Sequence, residues 1–221
     1  MSGGEQIAPN RAFLLDLLWP AACLGCGRSG NWWCPACQAA LMVSWHWRQL
    51  RLPLDSGLIA VSYCANYRQP LVNKLLKQTK YGRLTIPGRV LAINFANFIQ
   101  QTLINQAWFK TSWLTAVPLS RQRHHWRGFN QAELLSRALA KASGRPLLNH
   151  WQRWNRPQQA RLARTERLAN LNEAFHWSTP LFGENFIIVD DVATTGTTLI
   201  QAARCLRQAG AGKIWGLVLA H

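Results

Sequence analysis

Acidic residues are scarce in this chain. Asp and Glu together number only 9 of 221 residues, against 25 Lys and Arg, so the formal net charge is +16. This excess excludes a surface of evenly mixed charges, which is the usual arrangement when charge serves solubility alone. A strongly positive field attracts polyanions, so the composition favours a partner such as nucleic acid, a phosphorylated metabolite or an anionic membrane face.

Long apolar runs are also missing. No run approaches the roughly 20 apolar residues that a helix needs to cross a bilayer, and the chain contains no repeats or low-complexity segments. Residues 1–10 contain no basic region, and the apolar stretch at 12–19 is short and carries Asp16, so we expect no signal peptide. That stretch predicts a short amphipathic helix ended by Pro20. We therefore expect a cytoplasmic protein, with a position at the inner face of the membrane left open.

The most specific pattern that is present lies at residues 186–198. Four apolar residues lead into two adjacent carboxylates, Asp190 and Asp191, and a hydroxyl-rich turn, Ala-Thr-Thr-Gly-Thr-Thr, follows after one valine. This pattern predicts a buried strand with acids at its carboxyl end, then a turn and helix N-terminus whose N–H groups bind an anion. The alternative is a turn in which the acids only cap the helix. One Asp would suffice for a cap, and the Thr-rich run would remain unexplained.

These residues resemble the 5-phosphoribosyl-1-pyrophosphate (PRPP) fingerprint of type I phosphoribosyltransferases. The resemblance implies that Asp190 and Asp191 contact the ribose hydroxyls. It also implies that the 5′-phosphate is held by the loop residues Thr194, Thr195, Gly196, Thr197 and Thr198. The fingerprint is weaker evidence for catalysis, because some proteins of this fold bind such nucleotides only to be regulated.

Four of the six cysteines form two Cys-x-x-Cys pairs, Cys23 with Cys26 and Cys34 with Cys37. Two such pairs across a short loop predict a tetrahedral Zn²⁺ site, structural because four thiolates leave no open position. Paired disulfides are disfavoured in a cytosolic chain, and iron–sulfur clusters use other spacings. The module would either bind nucleic acid or protein, or have the structural role of fixing the N-terminal segment to the main domain. Cys64 and Cys205 lie in apolar segments and are expected to be buried thiols.

Hydrophobic periodicity predicts an α/β fold. Strands are expected at 58–64, 113–117, 181–189 and 214–219, and helices at 71–79, 90–106, 129–142 and 197–209. The Trp- and Arg-rich connector at 42–55 suggests a boundary, which gives residues 1–55 as a four-cysteine module with its connector and 56–221 as the main domain. The last strand–helix–strand unit implies parallel pairing.

Basic residues are concentrated in two further segments. Residues 117–131 carry three Arg and two His within seven positions, and are expected to form a loop that suits pyrophosphate or a nucleic-acid backbone. A solvated basic loop is the alternative. Residues 141–168 contain one Lys and six Arg but a single acid. The candidate nucleic-acid contacts are Arg123, Trp126, Arg153, Trp154, Arg156, Arg161 and Arg164, with Trp151 as a further candidate for base stacking.

Taken together, the motifs resemble the ComF competence-protein family of predicted phosphoribosyltransferases, including its GntX-like members. The matching positions are the two Cys-x-x-Cys pairs, Lys80-Tyr81-Gly82, Pro118-Leu119 with Arg121, Arg127-Gly128-Phe129-Asn130-Gln131, Gln159, Arg167, Asn170, Ala174-Phe175, Asp190-Asp191-Val192 and Thr194-Thr195-Gly196. One departure is Asn155-Arg156-Pro157, where family members usually have a Thr.

The resemblance implies a type I phosphoribosyltransferase-like parallel sheet flanked by helices, with a zinc-ribbon-like module before it. It also implies a role in natural transformation, acting on incoming single-stranded DNA alongside DNA-uptake or recombination proteins. PRPP would enter with Mg²⁺, and the candidates for its pyrophosphate side are Leu119, Ser120, Arg121 and Arg127. The alternative is a metabolic enzyme that transfers phosphoribosyl to a small acceptor. Whether the pocket catalyses any pentosyl transfer is left open by these residues.

Overall fold

The computed structural model describes residues 22–53, 55–81, 85–152 and 175–221. The helices in these residues are α1 (Pro35–Val43), α2 (Pro70–Tyr81), α3 (Thr85–Leu103), α4 (Ala107–Thr111), α5 (Arg121–Arg127), α6 (Gln131–Ser143) and α7 (Thr197–Gln208). The strands are β1 (Arg48–Leu50), β2 (Ala60–Ala65), β3 (Ser112–Ala116), β4 (Trp151–Gln152), β5 (His176–Trp177), β6 (Asn185–Val192) and β7 (Ile214–Ala220).

Five strands form the main sheet in the order β1-β2-β7-β6-β3. The strands β2, β7, β6 and β3 are parallel to their neighbours, whereas β1 pairs with β2 in the antiparallel direction. The predicted mixed α/β architecture with a mainly parallel sheet is confirmed. Because the four parallel strands end at the same edge, the loops that follow β3 and β6 lie side by side, as at the ligand sites of open α/β sheets.

Strand β6 is an interior strand of the sheet, and both of its faces are covered. Ile187 and Val189 join one apolar cluster with residues of α2, α3 and α6. Phe186 and Ile188 join a second cluster on the other side of the sheet, together with Leu199 of α7. A strand buried on both faces has no polar alternation, which explains the continuous apolar run that precedes the two acids in the sequence.

The basic segment at 117–131 differs from its prediction, because it contains a helix where a loop was expected. The Ser120 Oγ accepts a hydrogen bond from the Arg123 N–H at 3.3 Å and so caps the start of α5. Gly128 ends the helix with φ = 80°, a conformation that costs glycine little. The Ser and Gly signals were present in the sequence, but the run of charged residues between them obscured a helix of only seven residues.

Residues within and after the four-cysteine segment are part of the main core. Leu24, Leu41 and Trp45 belong to the same apolar cluster as Leu75 and Phe95. Strand β1, which lies within the predicted connector, extends the sheet by one strand. The described part of the cysteine module is therefore packed against the sheet body, and the proposed boundary near residue 55 stays a prediction.

Within the described ranges, every helix is too short or too polar to cross a membrane. The short helix predicted at residues 12–19 lies outside them.

Candidate functional site

Two carboxyl groups lie at the carboxyl end of β6, where the sequence predicted them. The Asp191 N–H donates a hydrogen bond to Asp190 Oδ1 at 2.8 Å, and Asp190 is paired in register with Val218 of β7. Burial raises the pKa of the Asp190 carboxyl well above its ordinary value, and the negative charge of Asp191 raises it further. Two acids held this close to a buried strand need positive charge nearby.

Lys80 supplies part of that charge. Its Nζ lies 2.8 Å from Asp191 Oδ2, and the two side chains are only 17% and 14% exposed. The other ion pairs of the described residues, Glu133 with Arg137 and Asp55 with Arg204, are more exposed. In the sequence, Lys80 is recognisable only as part of a motif and not as a site residue, because nothing local relates the end of α2 to the end of β6.

A buried glutamine connects Arg127, on the basic wall of the site, to the backbone of α2. Gln131, 5% exposed, accepts a hydrogen bond from Arg127 Nη1 at 3.2 Å. Its own Nε2 donates to the carbonyl of Thr79 at 3.4 Å. The adjacent Asn130 donates to the carbonyl of Val117 at 2.9 Å. The end of β3, the start of α6 and the end of α2 are thereby held together around one space.

That space is a cavity of about 210 Å³ at the edge of the sheet. It brings together both acids, Lys80 and Arg127, and it also includes Arg123, which was predicted to contact nucleic acid. The full lining is Lys80, Val117, Pro118, Leu119, Arg123, Arg127, Asn130, Gln131, Ala132, Asp190, Asp191, Val192 and Thr198. The predicted pyrophosphate candidates Leu119 and Arg127 therefore share a cavity with the acid pair and with one end of the Thr-rich loop.

The Thr-rich loop leads directly into α7. Gly196 has φ = 74° at the N-cap position, and none of the described side chains caps this helix end. The hydroxyls of Thr195 and Thr197 lie 2.8 Å apart. Exposed hydroxyls beside uncapped N–H groups at the positive end of a helix suit a bound anion. A Cβ added to Gly196 would lie 2.8 Å from Leu52 Cδ2, so the segment after β1 packs under this loop.

The predicted nucleic-acid residues are only partly described. Trp126 lies on α5 and is 47% exposed. Trp151 is half-buried, its ring centroid 5.0 Å from that of Trp177, and its indole N–H donates to Thr115 Oγ1 at 2.7 Å. The Arg121 side chain lies outside the description, and so do Arg153, Trp154, Arg156, Arg161 and Arg164. Their assignment stays a prediction.

The four predicted zinc ligands form one cluster. The sulfur atoms of Cys23, Cys26, Cys34 and Cys37 all lie within 4.8 Å of one another, and none is in a disulfide. The Cys26 and Cys34 sulfurs are 3.7 Å apart. Four ligands at the usual Zn–S distance of about 2.3 Å would be separated by about 3.8 Å in a tetrahedron. The cluster therefore fits a structural metal such as zinc.

The electrostatics of the cluster also suit a cation. Burial alone would raise the pKa of Cys23, but the backbone N–H groups of Cys34, Cys26 and Gly25 lower it to about 6. Burial, followed by contacts with the neighbouring sulfurs, raises the pKa of Cys37 to about 12. A metal ion favours the thiolate form of all four ligands, since metal binding displaces thiol protons.

The described residues define an α/β protein with a polar cavity at the carboxyl edge of a parallel sheet and a four-cysteine centre. No protein-family model matches the chain. The chain is 41% identical over 97 residues to competence protein ComFC of Bacillus subtilis, a match covering 44% of this chain and 39% of the relative. It is 37% identical over 115 residues to DNA utilization protein YhgH of Escherichia coli, covering 47% and 48%. A match to competence protein F of Haemophilus influenzae is 37% identical over 113 residues, with the same coverage.

These relatives confirm the resemblance that the motifs indicated: the chain is related to the ComF family of competence proteins. The matched part of the chain spans less than half the length of these curated relatives.

Replacing Gly25 by Ala should weaken zinc binding. A Cβ there would lie 2.6 Å from Cys37 Sγ, and changes beside metal ligands typically reduce affinity about 10- to 100-fold. Competition with a chromophoric chelator should show one zinc per wild-type chain and a weaker site in the variant. Gly27→Asn is the matched control, since Gly27 has φ = 79° with open space around it and Asn tolerates that conformation. Equal affinities for all three proteins would contradict the assignment.

Replacing Asp190 by Asn should stabilise the folded protein at neutral pH. Because the pKa of this carboxyl is raised on folding, ionising it opposes folding, and the Asn oxygen can still accept the Asp191 N–H. The gain is the free energy that ionising the buried carboxyl costs the folded wild-type protein. It should grow as pH rises above about 4, where the unfolded carboxyl titrates, and vanish below that pH.

Denaturant unfolding between pH 4 and pH 8 measures this difference. Asp55→Asn is the control, because the Asp55 side chain is 81% exposed and its replacement should change stability little at any pH. A variant at Asp190 that is no more stable than wild type at pH 8 would show that the carboxyl is not strained by burial.

Proposed function

We propose that this protein binds PRPP, or a closely related phosphoribosyl ligand, at the carboxyl edge of its sheet and handles single-stranded DNA during natural transformation. The domain that carries the pocket is, in this proposal, a type I phosphoribosyltransferase-like fold. The single observation that supports the ligand assignment best is the composition of one cavity. Two carboxyl groups, three basic side chains and the start of an uncapped helix face the same space.

Each part of such a ligand has a chemical counterpart in this cavity. Asp190 and Asp191 would accept hydrogen bonds from the ribose hydroxyls. The N–H groups and hydroxyls of residues 194–198 would hold the 5′-phosphate at the start of α7. Arg127 would contact the pyrophosphate, because a guanidinium gives planar, two-point contacts to phosphate. Leu119 and Ser120, after β3, would line the same side.

The carboxylates also fit a magnesium ion, which prefers oxygen ligands and binds commonly through one or two carboxylates together with substrate phosphates. When bound, Mg²⁺ would neutralise charge on the ligand's phosphate oxygens. The chain's own residues would position the ligand and screen its charge, which are the two contributions that a protein makes to displacement of pyrophosphate.

The DNA role is supported by charge and by the names of the relatives, which refer to competence and DNA utilization. The chain carries a net charge of +16. Helix α5 exposes Arg123, His124, His125 and Trp126 beside the cavity. A basic surface with an aromatic side chain is the usual way to bind single strands without sequence preference. The other partners in this proposal are DNA-uptake or recombination proteins.

PRPP should bind to the wild-type protein in the presence of Mg²⁺, and a variant carrying Asp190→Ala with Asp191→Ala should bind it at least tenfold more weakly. Hydrogen bonds to charged groups contribute about 1.5–3 kcal/mol each. Isothermal titration calorimetry measures the affinity, with Asp55→Ala as a control for loss of an exposed acid. Equal affinity in the double variant and the control would refute the pocket assignment. Chromatography of PRPP incubated with nucleobase mixtures would reveal any transfer.

Single-stranded DNA should bind with an affinity that falls steeply as salt rises, since each phosphate contact contributes about −0.7 to the slope of log K against log salt. Arg123→Ala should reduce the magnitude of that slope by about that amount. Filter binding between 50 and 200 mM salt measures it. Arg137→Ala is the control, because Arg137 is already paired with Glu133. A slope near zero for wild type would exclude the DNA role.

A further inference from the structure

Lys80, the partner of Asp191 in a buried ion pair, has no part in the ligand contacts described above. Lys80 Nζ is 2.8 Å from Asp191 Oδ2, with both side chains more than four-fifths buried. A buried cation is costly unless a partner compensates it, and Asp191 is the partner here. The same carboxylate is one of the two that the ribose and a divalent cation would use. The ammonium therefore stands where a cation accompanying the ligand would be needed.

We propose that Lys80 is a positioning residue that acts as the internal counter-ion of the empty pocket. It neutralises Asp191 until a diphosphate ligand arrives with its divalent cation, and its ammonium, still charged, then moves to pair with the ligand's phosphate oxygens. This inference rests on the proposed function, since it concerns the same pocket. It makes binding of the divalent cation depend on the ligand, because the ammonium and a divalent cation at Asp191 would repel each other.

The geometry permits the ammonium of Lys80 to move from Asp191 to a phosphate. Lys80 is near the end of α2, and its ammonium is carried on a flexible four-carbon stem, so the charge can move while the backbone stays in place. Gln131 fixes that backbone through the carbonyl of Thr79 and fixes Arg127 through its Oε1. Lys80 and Arg127 consequently line the same cavity, where phosphate oxygens would lie between them.

The competing explanation is structural: the ion pair could serve only to hold α2 against β6. The two explanations differ in what they predict for metal ions. If the pair is only a tether, removing the ammonium lowers stability and leaves the affinity for a divalent cation unchanged. If Lys80 competes with the cation, removing it increases that affinity, because two carboxylates are left without their counter-charge.

The test uses the full chain with its cysteine site loaded with zinc, and Mn²⁺ as the probe. Electron paramagnetic resonance of free Mn²⁺, without any phosphate present, should show at least tenfold tighter binding to Lys80→Met than to wild type. Lys77→Met is the matched control, since it removes the same charge from an exposed position one turn earlier on α2, and it should behave like wild type. Equal Mn²⁺ affinity in all three proteins would overturn the proposal.

A second arm uses pyrophosphate with Mg²⁺ and calorimetry. Lys80→Met should bind it at least tenfold more weakly than wild type, and Lys80→Arg should recover part of the loss. Unchanged affinity in Lys80→Met would overturn the proposed contact between the ammonium and the ligand's phosphate oxygens. Thermal unfolding checks that the variants are folded.

A measurement on the wild-type protein keeps the proposal testable if Lys80→Met does not fold. The side-chain ammonium resonance of Lys80, followed by NMR, should shift when Mg²⁺ and pyrophosphate are added together, and not with Mg²⁺ alone. A resonance that is unmoved by the pair would overturn the proposal. If wild type fails to bind PRPP, the proposed function fails, and the Mn²⁺ arm still decides separately whether Lys80 competes for Asp191.

Discussion

Two neighbouring carboxyl groups at the end of a strand buried on both faces impose the main constraint on this structure. Apolar packing on both faces holds β6 between β7 and β3 and leaves Asp190 and Asp191 little freedom to move apart. Burial raises the free energy of ionising the Asp190 carboxyl, and the negative charge of Asp191 raises it further. The surrounding elements place positive charge near these carboxyl groups, from Lys80 on α2 and from Arg123 and Arg127 on α5.

The same constraint links parts of the chain that are distant in sequence. Gln131 connects Arg127 to the backbone of α2, so the basic wall of the cavity is held by a buried side chain rather than by charge alone. On the opposite side, Leu52 packs where a side chain at Gly196 would otherwise lie. The cysteine module is connected to α2 by Lys74, whose Nζ donates to the carbonyl of Gly25 at 3.2 Å. A structural metal there would support α2 and with it Lys80.

Features that depend on local sequence were predictable. The Cys-x-x-Cys spacing predicted the four-sulfur cluster, and the apolar run before Asp190 predicted β6 with its following helix. Both predictions were possible because a buried strand and a turn are each specified by residues that are consecutive in the chain. The edge strand β1 was missed because three residues after a Trp-rich segment carry no periodicity. The Lys80–Asp191 pair and the Gln131 bridge were missed because each joins elements that only the folded sheet brings together. Arg153, Trp154, Arg156, Arg161 and Arg164 fall outside the described residues, so their predicted role is untested.

The central claim is that one cavity at the carboxyl edge of the sheet receives a phosphoribosyl ligand with its phosphates at two defined places. A crystal structure of the protein with PRPP and Mg²⁺ tests it most directly. The account predicts the 5′-phosphate on residues 194–198 at the start of α7, the ribose hydroxyls on Asp190 and Asp191, and the pyrophosphate beside Arg127. Density for the ligand elsewhere on the surface, with the Lys80–Asp191 pair intact and the cavity filled only by solvent, would contradict it.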